Sequence, residues 1–123
     1  MRKARSRSLC FLHAAPPRAA VAWQPQADIY RSRDGWVIKL ELAGVRPEDV
    51  TVTVQGTRLR VDGIRHDWLV EAGWNHYAME IAYNRFERTV ELPCDLERAR
   101  ITVECRHGML LLHVVVKENT DHV

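Results

Sequence analysis

Few side chains in this sequence are spaced for chemistry. Six histidines stand at positions 13, 66, 76, 107, 113 and 122, and none lie at the helical spacing of metal ligands. His66 and His76 share one polar stretch where both would be needed to meet a metal, and histidines in such a stretch read as solvated. The cysteines Cys10, Cys94 and Cys105 are odd in number and form no C-x-x-C. That argues against a disulfide framework or a cysteine-rich zinc site and suits a reducing cytoplasm. Cys105 reads as a small buried hydrophobe, and Cys94, after Leu92-Pro93, as a turn residue. The acid pairs Glu48-Asp49 and Asp95/Glu97 have no second cluster beside them in the sequence and read as turn charges. There is no phosphate-binding G-x-x-x-x-G-K loop, no G-x-S-x-G and no H-E-x-x-H. The expectation is a protein that is not an enzyme, with no catalytic residue, no metal and no cofactor.

The elements that would position any other kind of site are bounded by composition. At 123 residues, 46% apolar and 28% charged, the chain is one ordinary globular domain. No run approaches 18 apolar residues, so a membrane-spanning helix is excluded. The net charge of +2 is unevenly spread. Arg2, Lys3, Arg5, Arg7 and Arg18 face no acid before Asp28, whereas the rest holds 13 bases against 16 acids. The basic character therefore belongs to an arm, and the mildly acidic body argues against a nucleic-acid-binding face. His13, Pro16, Pro17 and Arg18 interrupt the apolar stretch after Leu9, so no secretory h-region forms. An Arg- and Ser-rich start without acids also suits a transit peptide, but a mobile terminus is the plainer reading. The expected organisation is a flexible basic arm over 1–24, a folded domain over 25–117 and a short tail over 118–123.

From Pro25 onward the pattern is period 2. Ala27–Arg31 reads as a strand and Asp34-Gly35 as a hairpin turn. Trp36, Ile38, Leu40 and Leu42 share one face of the next strand. Val50, Val52 and Val54 alternate with threonines, a strong β signature, and Leu59 and Val61 alternate on the returning arm, which Gly63 ends. Residues 64–76 read as a long polar loop, 77–82 as a short strand, and 85–92 as a strand stopped by Pro93. Asp95–Ala99 has room for one helical turn. Ile101, Val103 and Cys105 alternate, His107-Gly108 turns, and Met109–Val116 is a nearly continuous apolar strand. About eight short strands with regular turn signals predict an all-β fold, a two-sheet antiparallel β-sandwich. The Cys…Trp…Cys spacing of a true immunoglobulin domain is missing.

Five collinear segments carry a resemblance. They are Ala27-Asp28-Ile29-Tyr30 with Gly35-Trp36-Val37-Ile38, then Glu41-Leu42-Ala43-Gly44-Val45 with Glu48-Asp49-Val50, and Leu59 to Arg65. Met79-Glu80 with Phe86 to Pro93, and Ile101-Thr102-Val103 through Gly108-Met109-Leu110, complete the set. Together they resemble the α-crystallin domain of small heat-shock proteins over roughly residues 25–117. Departures from the family pattern are Ala43 for a proline, Ile81 for an arginine, Asn84 for a glycine and Val103 for the signature alanine. Asn tolerates positive φ better than most residues.

The resemblance implies an immunoglobulin-like sandwich and an ATP-independent holdase chaperone that binds partly unfolded proteins. It implies a groove for partner tails and client segments bordered by Val52, Val54, Ile101 and Val103, although alternation alone equally permits these as core residues. It implies a homodimer with Tyr77, Met79 and Arg88 near the interface, Arg88 paired with an acid, and Gly108 and Leu110 forming the signature turn. The residues 117–123 carry one terminal apolar side chain and no tail motif, so dimers or small assemblies of dimers are expected in place of large shells. The alternative is a protein–protein interaction module of the CS-domain co-chaperone type, which recruits a partner without holding clients.

Overall fold

The computed structural model describes residues 21–116 and the backbone of residues 2–5. The tail 117–123, Cys10 and His13 lie outside the described residues. Alternation becomes strand at nearly every predicted position. The strands are β1 (Arg2–Arg5), β2 (Ala27–Arg31), β3 (Gly35–Glu41), β4 (Val50–Gln55), β5 (Arg58–Arg65), β6 (Asn84–Glu91), β7 (Arg100–Arg106) and β8 (Met109–Val115). They form two antiparallel sheets, one in the order β1-β4-β5-β6 and the other β2-β3-β8-β7. The two-sheet sandwich is thus the observed fold.

The core is the sum of the inward faces. Val50, Val52 and Val54 of β4, Leu59 and Val61 of β5, and Phe86 and Val90 of β6 oppose Ile38 and Leu40 of β3 and Leu110, Leu112 and Val114 of β8. β8 lies between β3 and β7, which explains its apolar run: Leu111, on the outward parity, is buried as well. Leu96, in the 3₁₀ turn Leu96–Arg98, plugs the core where Asp95–Ala99 offered one turn.

Positive φ matters at two places, the β7–β8 turn and the start of β6. His107 (φ 53) and Gly108 (φ 78) make the two-residue connection between β7 and β8, with Arg106 opposite Met109. Asn84 stands at φ 73 where β6 begins, so the asparagine does take the conformation that the family's glycine allows.

Four differences from the sequence reading matter. β5 does not end at Gly63 but continues to Arg65, because a side chain at 63 would collide with the Asp49 carbonyl and the Phe86 ring, and glycine leaves that space empty. Residues 77–82, expected as a strand, form none; a strand needs a paired neighbour, and the segment pairs with no edge among the described residues. The arm is not wholly irregular: Arg2–Arg5 pair antiparallel with Val52–Val54, because the outer edge of β4 presents unpaired N–H and C=O groups. Trp23 belongs to the sandwich, since its backbone bridges Phe86 and its ring lies 5.6 Å from the Phe86 ring.

These contacts give the sandwich two distinct sides. The 3₁₀ turn Pro47–Asp49, which leads into β4, contacts β7, and the turn leading into β7 contacts β4. β4 and β7 therefore share one side. Trp23 and Pro25, just before β2, both bind β6, so β2 and β6 share the other.

Candidate functional site

On the β2/β6 side the chain leaves β5 at Arg65 and returns to β6 at Asn84, with residues 66–83 outside both sheets. This excursion carries Trp68, Leu69, Val70, Trp74, Tyr77, Met79 and Ile81, every one of them exposed; Tyr77 is 100% and Leu69 80% accessible. Its only charges are Asp67, Glu71 and Glu80, so the surface is apolar and mildly acidic. The base of the excursion is anchored. Trp68 donates its indole N–H to the Gly44 carbonyl at 3.1 Å, and the Arg46 guanidinium lies 4.5 Å over its ring. At the tip, the Trp74 amide donates to the Glu71 carbonyl at 3.1 Å.

Arg88, the third expected interface residue, lies on the inward parity of β6, opposite Val61. It is half-buried and donates to the Pro25 carbonyl at 2.8 Å, tying β6 to the start of β2. No acid among the described residues lies within ion-pair distance of it, so within one chain its partner is a carbonyl and not the expected carboxylate. The structure thus brings Arg88 and the outer edge of β2 to one side, with Ile29 and Tyr30 exposed on β2.

On the β4/β7 side, Ile101 and Val103 are partly buried against the core. Val52 and Val54 are 0% exposed, and their strand's outer edge is paired with β1. Their side chains are core, not groove wall, because the two sheets close over the inward face of β4. Gly108 turns and accepts a hydrogen bond from the Leu42 amide at 3.2 Å, while Leu110, expected in the signature turn, lies in β8 with its side chain in the core.

The remaining chemical candidates have structural partners. Asp95 caps the Glu97 amide at 3.0 Å, and Glu97 accepts from the Gly56 amide at 2.7 Å. Glu48 and Asp49 flank Arg46 at 3.8 and 3.3 Å. His113 lies 2.8 Å from Glu104, and this hydrogen bond holds the Glu104 carboxyl below its ordinary range. Cys105 is exposed, contrary to the buried reading, because it sits where β7 runs out beside the hairpin tip. Partial burial, then the carboxylates of Glu48 and Glu104, push its thiol up. Among the described residues no three His, Cys, Asp or Glu side chains gather as a metal site, and no helix is long and apolar enough to cross a membrane. The outward face of β5 and β6 carries cross-strand pairs, Arg58–Glu91 at 3.1 Å and Arg60–Glu87 at 3.3 Å, which as exposed pairs add little stability.

Sequence reasoning missed Arg65, the one buried charged residue among those described. Parity was the available signal. Leu59, Val61, Gly63 and Arg65 continue one inward face, so an arginine there points into the sandwich.

Two antiparallel four-stranded sheets packed as a sandwich, with almost no helix, match the fold of α-crystallin domain structures. The Hsp20/alpha crystallin family matches residues 28–122, and the chain belongs to that family. It is 24% identical over 94 residues to small heat shock protein C2 of Rickettsia felis, covering 76% of this chain and 61% of that one. It is 28% identical over 91 residues to spore protein SP21 of Stigmatella aurantiaca, covering 74% and 54%. The chain therefore spans between half and two thirds of these relatives' length. Among solved structures, heat shock protein 16.0 from Schizosaccharomyces pombe superposes with a TM-score of 0.67 at 24% identity, covering 80% of this chain and 91% of that one.

Proposed function

We propose that this chain is an ATP-independent holdase that takes up partly unfolded proteins on apolar surface and keeps them from aggregating. The carrying observation is the exposed apolar excursion 66–83. A contiguous exposed apolar surface on a folded chain marks an interaction site, and aggregation-prone intermediates expose surface of the same kind. Family membership supports the class, and the odd cysteine count supports a reducing cytoplasm as the setting. Uptake by apolar contact uses no cofactor and no catalytic residue. Light scattering of a heat-stressed client tests it: suppression at near-stoichiometric chain, equal with and without ATP, is expected. No suppression at several-fold excess moves the reading to an interaction module.

The working unit in this reading is a homodimer in which residues 77–82 of one copy pair as a strand with the outer edge of β2 of the other. Tyr77 and Met79 then cover Ile29 and Tyr30, with Arg88 beneath the contact. An unpaired edge and an unpaired apolar segment on the same side support it. A second contact lies at Ile101 and Val103 and the backbone edge of Val52–Val54, where an extended segment binds by strand addition when β1 leaves. Deleting residues 66–82 and re-closing the chain is expected to give monomers, read by light scattering after size exclusion. A variant that stays dimeric at micromolar concentration removes the strand-exchange reading.

A further inference from the structure

Arg65 is 7% exposed, and no acid among the described residues pairs with it. Burying a guanidinium without an anion is costly unless its N–H groups find oxygen. Here Nε and Nη2 both donate to the Ala82 carbonyl, at 3.0 and 2.8 Å, and Nη1 donates to the Ala43 carbonyl at 3.2 Å. The planar group also lies 4.6 Å from the Trp23 ring and 5.6 Å from the Tyr83 ring. One side chain thus joins four separate parts of the chain: the end of β5, the return to β6, the β3–β4 connection and the segment before β2.

The placement is selective. Arg65 is the last residue before the excursion, and Ala82 and Tyr83 are its last two residues, so the clamp closes the base of residues 66–81 and leaves their tip untouched. We infer that Arg65 is the positioning residue for the partner-binding segment, fixing the direction in which it leaves the sandwich so that residues 77–82 arrive at a neighbour's edge already oriented. This rests on the strand-exchange reading above. The physical advantage is pre-organisation: ordering lost on binding is reduced when the two ends of the segment are already fixed. Only arginine serves. A lysine ammonium is a point charge without the planar fork, so it does not grip Ala82 with two N–H groups while reaching Ala43.

The test compares full-length Arg65→Gln and Arg65→Lys with Leu59→Val, a core change that lowers stability without touching the clamp. Dimer dissociation is measured by sedimentation velocity and thermal midpoint by calorimetry. Both Arg65 variants are expected to weaken the dimer by about tenfold, the scale of one lost charge-assisted hydrogen bond. Leu59→Val is expected to leave dimer affinity within about twofold while lowering the midpoint, since its cost falls on the fold. Wild-type affinity in Arg65→Lys, or an equal loss in Leu59→Val, overturns the positioning role. If the 66–82 deletion remains dimeric, strand exchange fails, and the clamp is judged by hydrogen exchange of residues 82–85 alone. Faster exchange there in Arg65→Gln, with β3 and β8 unchanged, supports the clamp; unchanged exchange overturns it.

Discussion

The hairpin β4–β5 and the excursion 66–83 are both rich in large apolar residues, yet they treat them in opposite ways. In the hairpin, Val50, Val52, Val54, Leu59 and Val61 fall on one parity and vanish into the core. In the excursion, Tyr77, Met79 and Ile81 alternate as well, yet all seven large apolar side chains remain exposed. Apolar content alone therefore does not make core; alternation plus a facing sheet does. Alternation without a facing sheet leaves the excursion's apolar side chains at the surface.

The largest expected effect breaks the hairpin side of this contrast. Phe86→Ala empties the centre of the core beneath Gly63 and Trp23, and should cost about 3–5 kcal/mol in denaturant unfolding. A loss under about 1 kcal/mol would mean that the sandwich is not packed as described. Gly63→Ala comes next. Its methyl group meets a backbone carbonyl that cannot swing away, and about 1–3 kcal/mol should be lost.

Tyr77→Ser and Met79→Ser probe the other side. Each should change unfolding free energy by no more than about 0.5 kcal/mol, as exposed positions do, while weakening self-association and client holding. A drop in stability as large as that of a core variant would show the excursion to be packed in its own chain.

The smallest effect is a pH slope. Hydrogen bonds from Thr57, then Arg58, hold the Glu91 carboxyl below its ordinary value of 4.5, and the bond with His113 does the same for Glu104. A depressed carboxyl contributes stability above its unfolded pKa and loses it as pH falls through the folded one. The thermal midpoint should therefore hold at and above pH 4.5 and fall below it, and Thr57→Ala should flatten the part due to Glu91. An unchanged slope in that variant would sever Thr57 from the effect.

The sandwich was legible in the sequence because each buried face is written at period 2, as in Val50–Val54 or Ile101–Val103. Three features were not. β1 has no alternation to read; Arg2–Arg5 is a strand by virtue of the edge it meets. Arg65 was hidden because charge suggests exposure, although parity placed it inward. The segment 77–82 reads as a strand, but a strand is a relation between two segments, and among the described residues it pairs with none. Of the expected turn residues, Gly108 takes positive φ in the turn, while Leu110 lies in β8 and points into the core. Val52 and Val54 went to the core, because alternation cannot tell an inner wall from a groove.

The strand order has a consequence for how the chain is made. Trp23 leaves the ribosome early, but its bridge is to Phe86, and β3 waits for β8, whose Val115 lies opposite Gly35. At roughly 5–20 residues per second, the interval between Trp23 and Phe86 lasts on the order of 3–12 s. Throughout it β2 and β3 stand as a lone hairpin, and a lone hairpin is marginal in water. Neither sheet can close until the last third of the chain has emerged, so nascent copies on one messenger expose bare edges side by side. Crowded translation should favour pairing between them before any copy completes its own sandwich.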